Sequence, residues 1–146
     1  MARDQVPDTS VFIHLIHRRI QPTELFELAG GGRAWLSSVV VAELYGGARS
    51  LEERREIQRL ARAMRGVQRL LTPTAEEWER AGLLIERRSR LQGILSPRDH
   101  LADVLILVSA ARQKGVVVTR NLRHFEAWVR LARASGLDVA ISPYPD

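Results

Sequence analysis

The sequence predicts an α/β domain in which short parallel strands alternate with helices that cover both faces of a small sheet. Three observations carry this. Val116-Val117-Val118 is a continuous β-branched run, as expected of a strand buried on both faces. Apolar residues at helical spacing occupy most of the remaining chain. The strand candidates fall between helices, and a strand–helix–strand order makes successive strands parallel with helices layered on either side. A length of 146 residues with 45% hydrophobic content suits one domain spanning 1–146 with one core.

Taken in order, Asp4-Gln5-Val6-Pro7 is a short first strand, too polar for the middle of a parallel sheet, and Pro7 removes one ladder donor. Residues 10 to 18 form a helix with Ser10 as N-cap ahead of Val11, Phe12, Leu15 and Ile16. A second helix follows Pro22 through Leu25, Phe26 and Leu28 and stops at Gly30-Gly31-Gly32. Ala34-Trp35-Leu36 is a short strand, after which Ser38 caps a helix that carries Glu43 and ends near Gly46-Gly47. Residues 51 to 65 form a charged helix with an apolar stripe at Leu51, Ile57, Leu60, Ala61 and Met64; Gly66 closes it, and Val67 to Leu71 is a strand. Thr74 and Glu77 make a capping box for a helix to about Leu91. A helix from Asp99 to Lys114 ends at Gly115 and leads into the valine strand. Asn121 caps a last helix through Phe125, Trp128, Val129 and Leu131, and Asp138 to Ile141 is the final strand. Trp35, Trp78 and Trp128 each belong to an apolar pattern and are expected to pack.

Composition narrows the chemistry. With no cysteine, disulfides, thiolate metal sites and cysteine nucleophiles are excluded. No run of about 18 apolar residues exists to cross a membrane, and Met-Ala-Arg-Asp-Gln lacks the apolar core of a secretory signal, so a cytoplasmic protein is expected. The formal net charge is +5, and every basic residue except Lys114 is arginine, whose rigid fork of donors fits phosphate. Nothing resembles a nucleophile elbow, a phosphate loop or a dinucleotide fingerprint.

Parallel sheets bind ligands just beyond the carboxyl ends of their strands, which selects Asp8-Thr9-Ser10 and Thr119-Arg120-Asn121. Most acids have a structural explanation: Glu52, Glu53 and Glu56 alternate with arginines, and Glu76, Glu77 and Glu79 occupy a first helical turn. Asp99 suits the same first-turn role. Asp8, Glu43 and Asp103 differ, because each interrupts an apolar stretch. Asp103 shares a helix face with Ile106 and Leu107 and so points toward packed structure. A carboxylate in such surroundings is costly unless paired, protonated or bound to a metal. His14 and His17 could share a helix face, but no third ligand lies near them in sequence.

In this order and company the carboxylates resemble the PIN-domain ribonucleases, specifically the toxin subunits of VapBC-type toxin–antitoxin pairs. Four stretches carry the resemblance: Asp8-Thr9-Ser10-Val11-Phe12-Ile13; Ser37-Ser38-Val39-Val40-Val41-Ala42-Glu43-Leu44-Tyr45-Gly46-Gly47; Leu101-Ala102-Asp103-Val104-Leu105-Ile106; and Val117-Val118-Thr119-Arg120-Asn121-Leu122-Arg123-His124-Phe125. The resemblance implies a PIN-like three-layer α/β/α fold and an endoribonuclease. Asp8, Glu43 and Asp103 would be its catalytic residues and its ligands for Mg²⁺ or Mn²⁺, supporting in-line attack of water on a phosphodiester. Ser10, Thr119 and Asn121 would support the site, and Arg120 and Arg123 would hold flanking phosphates. It further implies an RNA substrate, a small antitoxin partner and a homodimer. One departure bears on the chemistry: His124 stands where the family usually has a further aspartate, which removes a charge and weakens a second metal position. Histidine suits Mn²⁺ or Zn²⁺ better than Mg²⁺. The competing reading is a domain that binds RNA or antitoxin without useful cleavage.

Overall fold

The computed structural model describes residues 3–28 and 31–144; Gly30 and the side chain of Phe26, both invoked above, lie outside the described residues. Among these, the chain runs β1 (Gln5–Pro7), α1 (Thr9–His17), α2 (Pro22–Leu28), β2 (Leu36–Ser37), α3 (Ser38–Gly46), α4 (Leu51–Gly66), β3 (Leu70–Leu71), α5 (Ala75–Gln92), α6 (Pro97–Arg112), β4 (Val116–Thr119), α7 (Leu122–Ala134) and β5 (Ala140–Pro143).

The strands are parallel, as their alternation with helices requires. β4 lies between β1 and β5, while β2 pairs with β3 in a second, two-stranded sheet. An isolated bridge between Gln5 and Ala34 joins the two sheets. Pro7 costs the main ladder nothing. Val116 donates its N–H to the Asp4 carbonyl and Asp8 donates to the Val118 carbonyl, so the even-numbered residues of this segment face β4. Gln5 faces the other way, its carbonyl taking the Trp35 N–H, and Pro7 shares that side by strand alternation.

Helix starts follow the side chains that can satisfy the first free N–H groups, and two of these differ from expectation. Asp8, not Ser10, is the N-cap of α1, its carboxylate accepting the Val11 N–H at 3.4 Å. Ser37, not Ser38, caps α3 through the Val39 N–H at 3.1 Å. In both cases the cap is the last extended residue after the strand, so the chain turns into helix one or two residues earlier than apolar spacing suggests. The Thr74–Glu77 capping box forms as expected, with bonds of 3.0 and 3.2 Å. Arg112 at the end of α6 then clamps Glu77 from Nε at 2.9 Å, tying the two helices together. Asn121 occupies the cap position of α7 but makes no side-chain capping bond. Lys114 takes the left-handed turn after α6, at φ 50°. Gly115 then passes so close to β1 that a Cβ would lie 3.1 Å from the Asp4 carbonyl oxygen.

α6 is the centre of the core. Residues 104–111 of it are all buried, packed among α3, α5, α7 and β4. Ser109 is accommodated there because its hydroxyl donates back to the Leu105 carbonyl at 2.7 Å. Trp128 is fully buried, and Trp35 is partly buried with its indole N–H on Asp4 at 3.0 Å. Trp78 does not pack as expected: it is 50% exposed on α5, where the apolar stripe is wide enough to leave one edge in solvent. No helix among the described residues is long and apolar enough to cross a membrane.

The carboxyl ends of β1, β2 and β4 lead into α1, α3 and α7, so the starts of three helices meet at one end of the sheet. Replacing fully buried Ile106 with alanine should lower unfolding free energy by about 2–5 kcal/mol. Replacing Ile94, 98% exposed, should change it by less than ~0.5 kcal/mol in the same denaturant titration.

Candidate active site

At that end of the sheet lies an open cavity of about 780 Å³, whose wall includes Asp8, Glu43 and Asp103 together with Ser10, Arg120, Asn121, Arg123 and His124. The structure thus brings together residues separated by more than a hundred positions, and every predicted site residue except Thr119 borders the cavity directly.

Asp8 is the most constrained. Only 5% exposed, it sits where β1 ends against β4. Ser10 Oγ–H donates to its Oδ1 at 2.5 Å, and Thr119 Oγ1–H donates to Oδ2 at 2.7 Å. The same two hydroxyl oxygens accept backbone N–H groups, from Arg120 onto Ser10 at 3.0 Å and from Asn121 onto Thr119 at 2.9 Å. Each hydroxyl therefore relays the loop after β4 to the carboxylate at the end of β1. Thr119 is fully buried and acts behind Asp8.

Glu43 projects from α3 toward the cavity, and Thr9 Oγ1–H donates to its Oε1 at 2.6 Å. In the sequence Thr9 stands out only as part of the strand-end segment Asp8-Thr9-Ser10, with no role of its own; the bond to Glu43 supplies one. Asp103 comes from α6, with His124 of α7 at 2.6 Å from its Oδ2. Contrary to expectation, neither Glu43 nor Asp103 points into packed structure. Glu43 is exposed and Asp103 half-buried: Asp103 shares its helix face with buried Ile106 and Leu107 but lies one turn nearer the start of α6, where the helix reaches the cavity wall. Asn121 reaches the site through its backbone N–H alone; no hydrogen bond of its side chain is seen among the described residues. His14 and His17 lie apart from the cavity wall.

The carboxylates repel one another. Burial pushes the Asp8 carboxyl above its ordinary value, against the pull of the Ser10, Thr119 and Val11 bonds, and the charge of Asp103 adds to the rise. Glu43 is raised by desolvation and by Asp103 and Asp8, with Thr9 opposing.

The sequence matches the PIN domain over residues 6–129. The chain belongs to the PIN-domain family. Its fold is shared by solved structures of VapBC complexes. One from Salmonella typhimurium, bound to DNA, is 26% identical with a TM-score of 0.63, covering 99% of this chain and 100% of that one. One from Rickettsia felis, bound to a promoter fragment, is 17% identical with a TM-score of 0.60, covering 97% and 98%. One from Mycobacterium tuberculosis is 20% identical with a TM-score of 0.57, covering 96% and 98%. No curated protein matches the sequence significantly.

For a PIN domain a divalent cation is the natural question, and the donor chemistry fits: three hard carboxylates that repel one another, with no ion pair to lysine or arginine on any of them among the described residues. No three His, Asp or Glu side chains among the described residues are grouped closely enough to grip an ion together. This arrangement suits an ion that keeps part of its water shell and is held by one or two carboxylates, as Mg²⁺ commonly is.

The raised Asp8 pKa carries a stability consequence. The folded state holds the Asp8 proton more tightly than the unfolded chain, whose value is near 3.8, so ionisation costs stability as pH rises through and above that value. Asp8→Asn escapes this cost. Its stability relative to wild type should therefore increase between about pH 4 and pH 7.5 in denaturant titrations, and added Mg²⁺ or Mn²⁺ should stabilise the wild type more than the variant.

Proposed function

We propose that this PIN domain is the toxin of a toxin–antitoxin pair, an endoribonuclease that hydrolyses RNA phosphodiester bonds with Mg²⁺ or Mn²⁺. The observation that carries the reading is the convergence of Asp8, Glu43 and Asp103 on one open cavity bordered by Arg120 and Arg123. The cavity is wide and polar enough for a phosphodiester, and the two arginines stand beside the acids where the phosphates flanking the scissile bond would lie.

Each residue has a definite task in this reading. Asp8, locked by two hydroxyls, sets the reference position of the site. Glu43 and Asp103 face it from α3 and α6 and would complete the ligand set, in part through waters kept by the ion. A bound cation would offset their repulsion and stabilise the charge that develops on the phosphate during hydrolysis. Ser10 and Thr119 keep Asp8 in one rotamer, and the backbone amides of Arg120 and Asn121 fix those hydroxyls in turn. His124 holds one Asp103 oxygen, which leaves the other to the cavity.

The assembly follows the same line. The solved relatives are toxin–antitoxin complexes, so a small antitoxin that covers this cavity is the expected partner. Exposed Leu83 and Leu91 on α5 favour a homodimer. The competing reading, a domain that binds without cutting, draws on His124, which ties up an Asp103 oxygen and replaces a carboxylate.

Incubation of the purified protein with RNA plus Mg²⁺ or Mn²⁺ separates the two readings. Cleavage should occur and should fall at least about 100-fold in Asp103→Asn, beyond the usual effect of losing a group that only supports a metal ligand. No cleavage by wild type, or equal cleavage by both, would overturn the nuclease reading. His124→Asp should tighten Mg²⁺ binding in calorimetry and leave Mn²⁺ binding less affected.

A further inference from the structure

The arginine surplus is not spread evenly. From Arg54 onward α4 carries Arg54, Arg55, Arg59, Arg62 and Arg65, all exposed. At 3.6 residues per turn these five and Gln58 fall within an arc of about 140°. The opposite side holds Glu56, Ile57, Leu60, Ala61 and Met64, all buried. Against five arginines α4 sets one exposed acid at the edge of the arc, Glu52 in the first turn beside Arg59. Glu53 in the first turn is held by Arg49 at 2.8 Å, and Glu56 is turned inward. None of the five arginines forms an ion pair among the described residues. α5 is unlike this, since Glu76, Glu79 and Glu86 alternate with its arginines and Glu86 pairs with Arg90 at 2.6 Å.

We propose that the exposed face of α4 is a second RNA contact, a track of arginines that binds the phosphate backbone of the substrate away from the scissile bond. The choice of RNA as the polyanion rests on the ribonuclease reading above. The shape of the face favours a phosphate backbone over a protein. Protein interfaces depend on buried aromatic or aliphatic anchors, and this arc offers none. Its arginines are instead suited to bidentate contact with phosphate oxygens. From Arg54 to Arg65 the track is roughly 16 Å long at 1.5 Å per residue, enough to face several phosphates of a strand.

Its position fits a substrate that also reaches the cavity. α4 follows α3, which carries Glu43, after a short turn and packs against it. Because β3 is parallel to β2, α3 and α4 together return the chain from the carboxyl end of the sheet, where the cavity lies, to its amino end, and α4 is the second leg of that return. A strand held at Arg120 and Arg123 would be continued by this track, adding affinity with no reading of base sequence.

The test is a binding measurement that needs no cleavage. Fluorescence anisotropy with labelled oligouridylate of about 20 nucleotides, and with bulk transfer RNA as competitor, is followed in EDTA from about 50 to 200 mM salt. Three lost phosphate contacts in the variant Arg55→Gln/Arg59→Gln/Arg62→Gln should reduce the slope of log K against log salt by about 2 and weaken binding on the order of 100-fold at 0.1 M. The matching lysine variant keeps the charge and should retain most of the slope; both Lys and Gln are good helix formers, and circular dichroism melting checks the fold. Unchanged affinity and slope would overturn the proposal and leave α4 a solvated face. Weaker binding at unchanged slope would overturn it as well, since no phosphate contact would have been lost. Cleavage of the same RNA by wild type with Mn²⁺ is scored separately, so failure of the nuclease reading is distinguished from failure of this one.

Discussion

The site depends on one buried carboxylate. Asp8 ends β1, begins α1, and accepts hydroxyl bonds from Ser10 and Thr119. A charge in that position would be costly if left alone, so the surrounding structure is committed to supplying donors. Those donors are themselves anchored by the backbone amides of Arg120 and Asn121. One side chain therefore couples the carboxyl ends of two adjacent strands, the first turn of a helix and the loop that leads into α7. The valine run of β4 gives this junction its rigidity, because a strand buried between two others cannot shift without breaking both ladders.

Glu43, Asp103 and His124 are held less tightly. They come from three different helices and each has one bond to a neighbour across the cavity. The like charges of Asp8, Glu43 and Asp103 would separate them, and the packing of α3, α6 and α7 on the core keeps them in place. The energy stored in that repulsion is what a divalent cation would release on binding, so a site that is unfavourable for folding is favourable for metal. His124 lowers the acid count and makes the demand for cations smaller than four carboxylates would.

Much of this was legible in the sequence. The β-branched run, the Thr74–Glu77 box and the family motifs located the fold and the three acids by number. Boundaries were less legible where a polar residue could cap from either of two positions: Ser10 and Ser38 each have a neighbour, Asp8 and Ser37, that ends a strand and so reaches the free N–H groups first. The surroundings of Glu43 and Asp103 were misread because apolar neighbours in sequence do not reveal the opening beside a helix: Asp103 shares a face with buried Ile106 and Leu107 yet borders the cavity one turn earlier. The Thr9–Glu43 and His124–Asp103 bonds join residues on different elements, and no local pattern encodes the distance between them. Trp78 shows the same gap, since membership of an apolar pattern does not settle which edge of a wide stripe is covered.

Pro7 divides the mechanics of the site. Its side of β1 lacks an N–H, and there the two sheets meet through the Gln5–Ala34 bridge and the Trp35 N–H. Asp8 and Thr119 belong to one sheet; Ser37, and through α3 Glu43, belong to the other. The cavity thus has one wall from each sheet, joined along a thin seam. Spacing between Asp8 and Thr119 is set by the ladder, whereas spacing between Asp8 and Glu43 is set across the seam by the packing of α1 on α3 and the Thr9–Glu43 bond, so the two halves of the acid cluster are positioned by different kinds of contact.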